Sequence, residues 1–104
     1  MKKILCLALM LVSIDARSAS WTSDFTITGI YVAGKDNYQY RIYGMPAMPS
    51  CTNGSNWAFI NESDLGSKGY VTSVYTAFAT GRPIRVFVEV ENGYCHIQEL
   101  FLTA

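Results

Sequence analysis

Any chemistry in this chain would have to come from one histidine, three cysteines and a handful of carboxylates. His96 directly follows Cys95, and no serine stands in a nucleophile motif, so the base-plus-nucleophile pairing that covalent catalysis needs is not written here. His96 reads instead as a surface or edge-strand histidine. Glu89, Glu91 and Glu99 offer paired carboxylates of the kind glycosidases use. They fall on or beside the last hairpin of the chain, where charges are expected to be solvated and to guard a sheet edge. A metal site would want more cysteine or histidine ligands than the chain has, and there is no glycine-rich phosphate loop. The residues therefore lead us to expect no enzyme, no cofactor and no metal. Asn53-Gly54-Ser55 and Asn61-Glu62-Ser63 match the glycosylation sequon, a pattern short enough to recur by chance.

The cysteines gain meaning from the N-terminal layout. Lys2 and Lys3 precede an apolar run from Ile4 to Ile14, interrupted only by Ser13, and Ser18-Ala19-Ser20 follows with small residues. That three-part order is that of a secretory signal, and the apolar run is well short of the roughly 20 residues that span a bilayer. We therefore expect residues 1–20 to be a signal peptide and 21–104 the folded domain, with the cut after Ser20 or, as the second choice, after Ser18. An uncleaved anchor is the alternative. Cys6 would leave with the signal, and the remaining pair, Cys51 and Cys95, is expected to form a disulfide in an oxidising compartment, periplasmic or extracellular. The two stand 44 positions apart, so closing that loop contributes about 4 kcal/mol in the chain-entropy picture, a useful staple for so small a domain.

Beyond residue 20 the acidic residues outnumber the basic ones by two. That balance gives no electrostatic footprint for nucleic acid or for an anionic membrane surface, so neither is expected as a partner once the signal is gone. Tyrosines are plentiful, and they serve equally as core filling or as recognition surface.

These side chains are carried by a sequence that alternates period. Phe25–Val32 predicts a first strand, residues 33–37 a turn, and Tyr38–Tyr43 a second strand with Tyr38, Tyr40 and Ile42 on one face. Residues 44–55 read as a loop, and Asn56–Asn61 as a short third strand. Val71, Val74, Tyr75 and Phe78 then fall on one face of a helix, capped by Asp64 or Ser67 and ended by Gly81 and Pro83. Residues 84–90 alternate cleanly, Asn92-Gly93 is a two-residue hairpin turn, and the last strand runs from Tyr94 to Thr103 with a bulge near Gln98 and Glu99. The order β-β-β-α-β-β is mainly β. It is that of a small OB-fold-like Greek-key barrel with one helix, with a flat α+β sheet as the alternative.

Several stretches also carry a resemblance. Trp21-Thr22, Phe25-Thr26, Tyr40-Arg41-Ile42-Tyr43-Gly44, Ser55-Asn56-Trp57 and the segment Tyr75–Phe87 (YTAFATGRPIRVF) resemble the B subunits of subtilase-cytotoxin and pertussis-like AB5 toxins. The resemblance implies an OB-fold, assembly as a homopentamer and binding of cell-surface glycans. It also implies that Thr26, with Asp24 nearby, falls where such subunits contact sugar. Val88 stands where they carry a glycan-contacting tyrosine, their first cysteine falls near Arg41, and their C-terminal extension is missing. The functional expectation is an exported glycan- or receptor-binding subunit. The alternative is a monomeric exported module that binds a protein partner, as an inhibitor or accessory factor.

Overall fold

The computed structural model describes residues 19–45 and 57–104. The strands are β1 (Ala19–Trp21), β2 (Thr26–Val32), β3 (Tyr40–Met45), β4 (Trp57–Ile60), β5 (Ile84–Glu91) and β6 (Tyr94–Leu102), with the helix α1 (Ser67–Thr80) between β4 and β5. The domain is thus mainly β with a single helix, as the alternating pattern predicts. The addition is β1, which begins at Ala19, ahead of the expected domain start at Trp21. Cys51 and the expected signal residues up to Ser18 lie outside the described residues.

All six strands join one sheet in the order β1-β5-β6-β4-β3-β2. Every pairing is antiparallel except β4 with β6. The closed barrel expected from the element order is corrected in one respect: the sheet is not closed by a continuous ladder, and β1 and β2 are its edges. The two edges belong to one stretch of chain. Between them Thr22 N–H donates to the Val86 carbonyl at 2.9 Å, and Phe25 and Ile84 exchange backbone hydrogen bonds of 2.8 and 2.9 Å. A single bridge therefore stands where a barrel would have a ladder.

Alternation decides what the sheet buries. Ile84, Val86 and Val88 point into the core with Ile42, Ala58, Ile60, Cys95 and Ile97, while Arg85 and Glu89 point away. The bulge expected near Gln98 is present: Phe87 pairs with Glu99 and Val88 with Ile97, so Gln98 is the extra residue. That one insertion lets Leu100 and Leu102 pack on the same core as Ile97, which a strict period of two forbids. Gln98 has a second use, because its carbonyl accepts the Tyr70 hydroxyl from α1. Another register shift lies between Ile27 and Gly29, and no feature of the sequence marks it.

The helix departs from expectation in its face and its cap. Val74 and Ala77 are its buried residues, flanked by Tyr70 and Val71, while Tyr75 and Phe78 are nearly half exposed, at 46% and 48%. The apolar stripe is wide enough to be read in two rotations, and contacts with β2, β4 and β6 select the one that buries the small Ala77. Neither Asp64 nor Ser67 caps the helix. Gly66 holds the cap position with no side-chain bond, and Ser67 is already helical. Gly81 ends α1 in the left-handed region at φ 72°, as predicted. Asn92 and Gly93 likewise take φ 54° and 85° in the β5–β6 turn.

Tyr38 is the other departure. It too is left-handed, at φ 57°, so the strand begins at Tyr40 rather than at Tyr38. An aromatic residue rarely adopts this conformation. Here it breaks the alternation, and the Tyr38 ring packs edge-on against Phe59 on the face away from the core.

Close approach matters most at Gly44, fully packed in β3. A methyl group there would run into the Phe25 ring and meet the Thr26 carbonyl at 3.0 Å. Gly44→Ala is therefore expected to destabilise the domain by about 1–3 kcal/mol. Urea unfolding checks this, with a lowered midpoint expected, whereas Gly34→Ala, which meets nothing within 4 Å, should leave the midpoint near wild type.

Candidate functional site

The outer face of the β1-β5-β6 half of the sheet collects polar and aromatic side chains from distant parts of the sequence. Arg85 pairs across the ladder with Phe101, and Trp21 pairs with Phe87. The Arg85 guanidinium lies 4.7 Å from the centre of the Phe101 ring and 6.0 Å from that of Trp21. Trp21 also contacts Phe87 at 5.6 Å. Together Trp21, Thr22, Arg85 and Phe101 line an open groove of about 440 Å³. Trp21 and Phe101 remain 46% and 48% exposed, so both rings keep a face free of the core. Thr22 fixes the floor, since its hydroxyl accepts the Val86 N–H at 3.2 Å and its own N–H is spent on the Val86 carbonyl.

The two residues singled out in the sequence separate here. Asp24 reaches the groove, with its carboxylate 3.9 Å from the Arg85 guanidinium and both side chains about half exposed. A pair so open to solvent adds little stability, which leaves both groups available to a ligand. Thr26 opens β2 opposite Met45, on the next strand away from Arg85. The structure thus brings Asp24 to Arg85 at the groove, and it leaves Thr26 outside the lining. No local motif marks this groove, because its two exposed rings come from opposite ends of the folded chain. Val88 is fully buried in the core, so it cannot meet a ligand at the surface.

Two further hollows lie near the start of α1. One, of about 360 Å³, is lined by Tyr40, Lys68 and Val71 among others; the second, of about 430 Å³, is lined by Asp36, Gln39, Glu62 and Ser63. The first sets the partly buried Tyr40 near Lys68 without a second ring, and the second has no ring at all. Among the described residues no three acidic, cysteine or histidine side chains form a group that could hold a metal ion, and no helix is long and apolar enough to cross a membrane.

A second constellation centres on His96, and it corrects the edge-strand reading. β6 is interior to the sheet, between β5 and β4. The imidazole stacks on Phe59 at 4.3 Å. Its Nδ1 lies 2.8 Å from a Glu91 carboxylate oxygen and its Nε2 2.9 Å from one of Asp64. Asp64 is held in turn by the Asn61 N–H at 2.8 Å. A neutral imidazole has one N–H to donate, whereas two acceptors face this ring, so the geometry is satisfied only by the imidazolium. Burial pulls the His96 pKa down, but the hydrogen bonds and charges of Asp64 and Glu91 outweigh it and hold the value above 6.5. Glu91 was expected to be simply a solvated charge; it is one jaw of this clamp. Beside it Trp57 stacks on Tyr94 at 4.7 Å, and Arg41 sits 5.1 Å from Trp57 and 4.7 Å from Tyr31.

Because folding raises this pKa, the folded state binds the extra proton more tightly than the unfolded chain. The clamp's stabilisation is complete below pH 6.5 and is lost as the pH climbs through the raised value. Urea midpoints measured from pH 5.5 to 9 should fall across that window for the wild type. His96→Gln should be less stable in acid and show a flatter profile; an unchanged slope in the variant would show that the histidine is not the titrating group.

No protein-family model, curated protein or solved structure matches this chain.

Proposed function

We propose that the chain is an exported binding module that recognises a glycan through the groove between Trp21 and Phe101. The observation that carries this reading is the pair of exposed rings flanking the Arg85 cation, which also pairs with the Asp24 carboxylate. Sugar rings present apolar C–H faces and a rim of hydroxyls. Aromatic faces complement the first, and a few convergent charged or hydroxyl groups complement the second. Small Greek-key β domains also bind oligosaccharides along an outer face. On this reading the groove is the sugar site, with Asp24 joined to it through Arg85 and Thr26 outside its lining. Assembly as a homopentamer, as in the toxin subunits the chain resembles, would multiply weak single sites into tight attachment to a cell surface.

Export to the periplasm or beyond belongs to the same reading, as does a Cys51–Cys95 disulfide. Complete burial of Cys95 supports the bridge.

A protein partner is the second reading, favoured by the Tyr31, Arg41 and Trp57 contacts on the outer face of β2, β3 and β4. Tyrosine, tryptophan and arginine dominate the energetics of protein interfaces.

A broad glycan array probed with the purified protein separates the two. Retention of a glycan by the wild type, with about a tenfold or greater loss in both Trp21→Ala and Phe101→Ala, supports the groove. No retained glycan, or variants that bind as the wild type does, counts against it. Native mass spectrometry without reductant should show a species near five oxidised chains; a single chain would remove the pentamer while leaving the groove in place.

A further inference from the structure

The sequence offers two bonds at which a signal could be removed, and the sheet distinguishes them. Ser18 and Ser20 supply small residues one and three positions before the Ser20–Trp21 bond. Ala16 and Ser18 do the same for the Ser18–Ala19 bond. Pattern alone ranks them closely.

We infer that processing occurs at the Ser18–Ala19 bond, and that Ala19 and Ser20 are retained as the strand that holds Trp21 in the groove. This rests on the export reading above. Water adds across that peptide bond, the leader departs with the Ser18 carboxylate, and Ala19 keeps the new ammonium group.

The argument is the register of β1. Ala19 lies opposite Glu89, Ser20 opposite Val88 and Trp21 opposite Phe87. Removing Ala19 and Ser20 would take two of the three paired residues and bare the edge of β5 beyond Phe87. An unpaired edge beside core residues such as Val88, fully buried, invites strand addition from other chains. Trp21 would then be the terminal residue, and terminal residues fray unless the backbone on both sides is tied down. Its own contacts, Phe87 at 5.6 Å and Arg85 at 6.0 Å, leave the ring nearly half exposed and do not replace that backbone anchorage. Ala19 and Ser20 are in this sense positioning residues: they touch no ligand and set where the tryptophan lies.

The test is the intact mass and N-terminal sequence of the protein secreted by a bacterium expressing the full chain. A chain beginning at Ala19 is expected. One beginning at Trp21 overturns the inference while preserving export, and one beginning at Met1 overturns both. The variant Ser20→Leu sharpens the result, because Ser20 directly precedes the alternative bond and lies beyond the inferred one. It should still be processed and still begin at Ala19. Loss of processing in Ser20→Leu would place the cut after residue 20 instead.

Discussion

One stretch of backbone, residues 19–32, hydrogen-bonds on two sides of the sheet at once. Its first part runs along β5, through β1 and then through Thr22 and Phe25; its second part, β2, runs along β3. The two outermost strands of an otherwise open sheet are therefore joined covalently by four residues. This constraint curls the sheet around its core. It brings the Phe25 ring against β3 so closely that residue 44 has no room for a side chain, and it satisfies backbone groups that an open edge would expose. The groove depends on the same crossing, because Trp21 and Thr22 reach Arg85 only while that segment follows β5.

The sheet has a second packed layer on the side away from the core. Phe59 points outward from β4, yet it is only 1% exposed, covered by Tyr38, Trp57 and His96. Over it the His96 clamp ties the β5–β6 hairpin to the turn before α1, which the backbone ladder alone does not join. A partly buried charge of this kind is tolerable because both ring nitrogens meet carboxylates and one carboxylate has a further backbone donor. The outer face thus divides in function. Around Phe59 the aromatic rings are consumed by each other. Trp21 and Phe101 keep open faces, as Tyr31 does beside Arg41, but only Trp21 and Phe101 stand as two such rings on either side of one cation, Arg85.

Much of the architecture follows from local rules. Alternation over residues 84–90 marks a strand with one buried face, Asn92-Gly93 requires positive φ at both positions, and Gly81 before Pro83 ends a helix wherever the rest of the chain lies. Even the bulge at Gln98 was legible, because two apolar runs of opposite phase on one strand can share a core only if a residue is inserted between them. The composition also bounded the chemistry, since a single histidine without a nucleophile beside it leaves few catalytic schemes to write.

Tertiary structure decided what depends on distance between remote residues. The helix stripe admits two rotations, and only the sheet beneath it chose Ala77 over Phe78 for burial. Tyr38 left its predicted face because a left-handed turn, stabilised by rings from β4 and β6, outweighs its preference for extended backbone. His96 could not be read as a clamp, because Asp64 lies 32 positions away on a turn whose path the local sequence does not dictate. The groove was likewise invisible: Asp24 and Thr26 stand two positions apart in the chain, yet pairing sends one toward Arg85 and the other toward Met45. Sequence determines the period and ends of each element, because those depend on a residue and its near neighbours. Which surfaces meet is settled only when backbone pairing brings distant strands together.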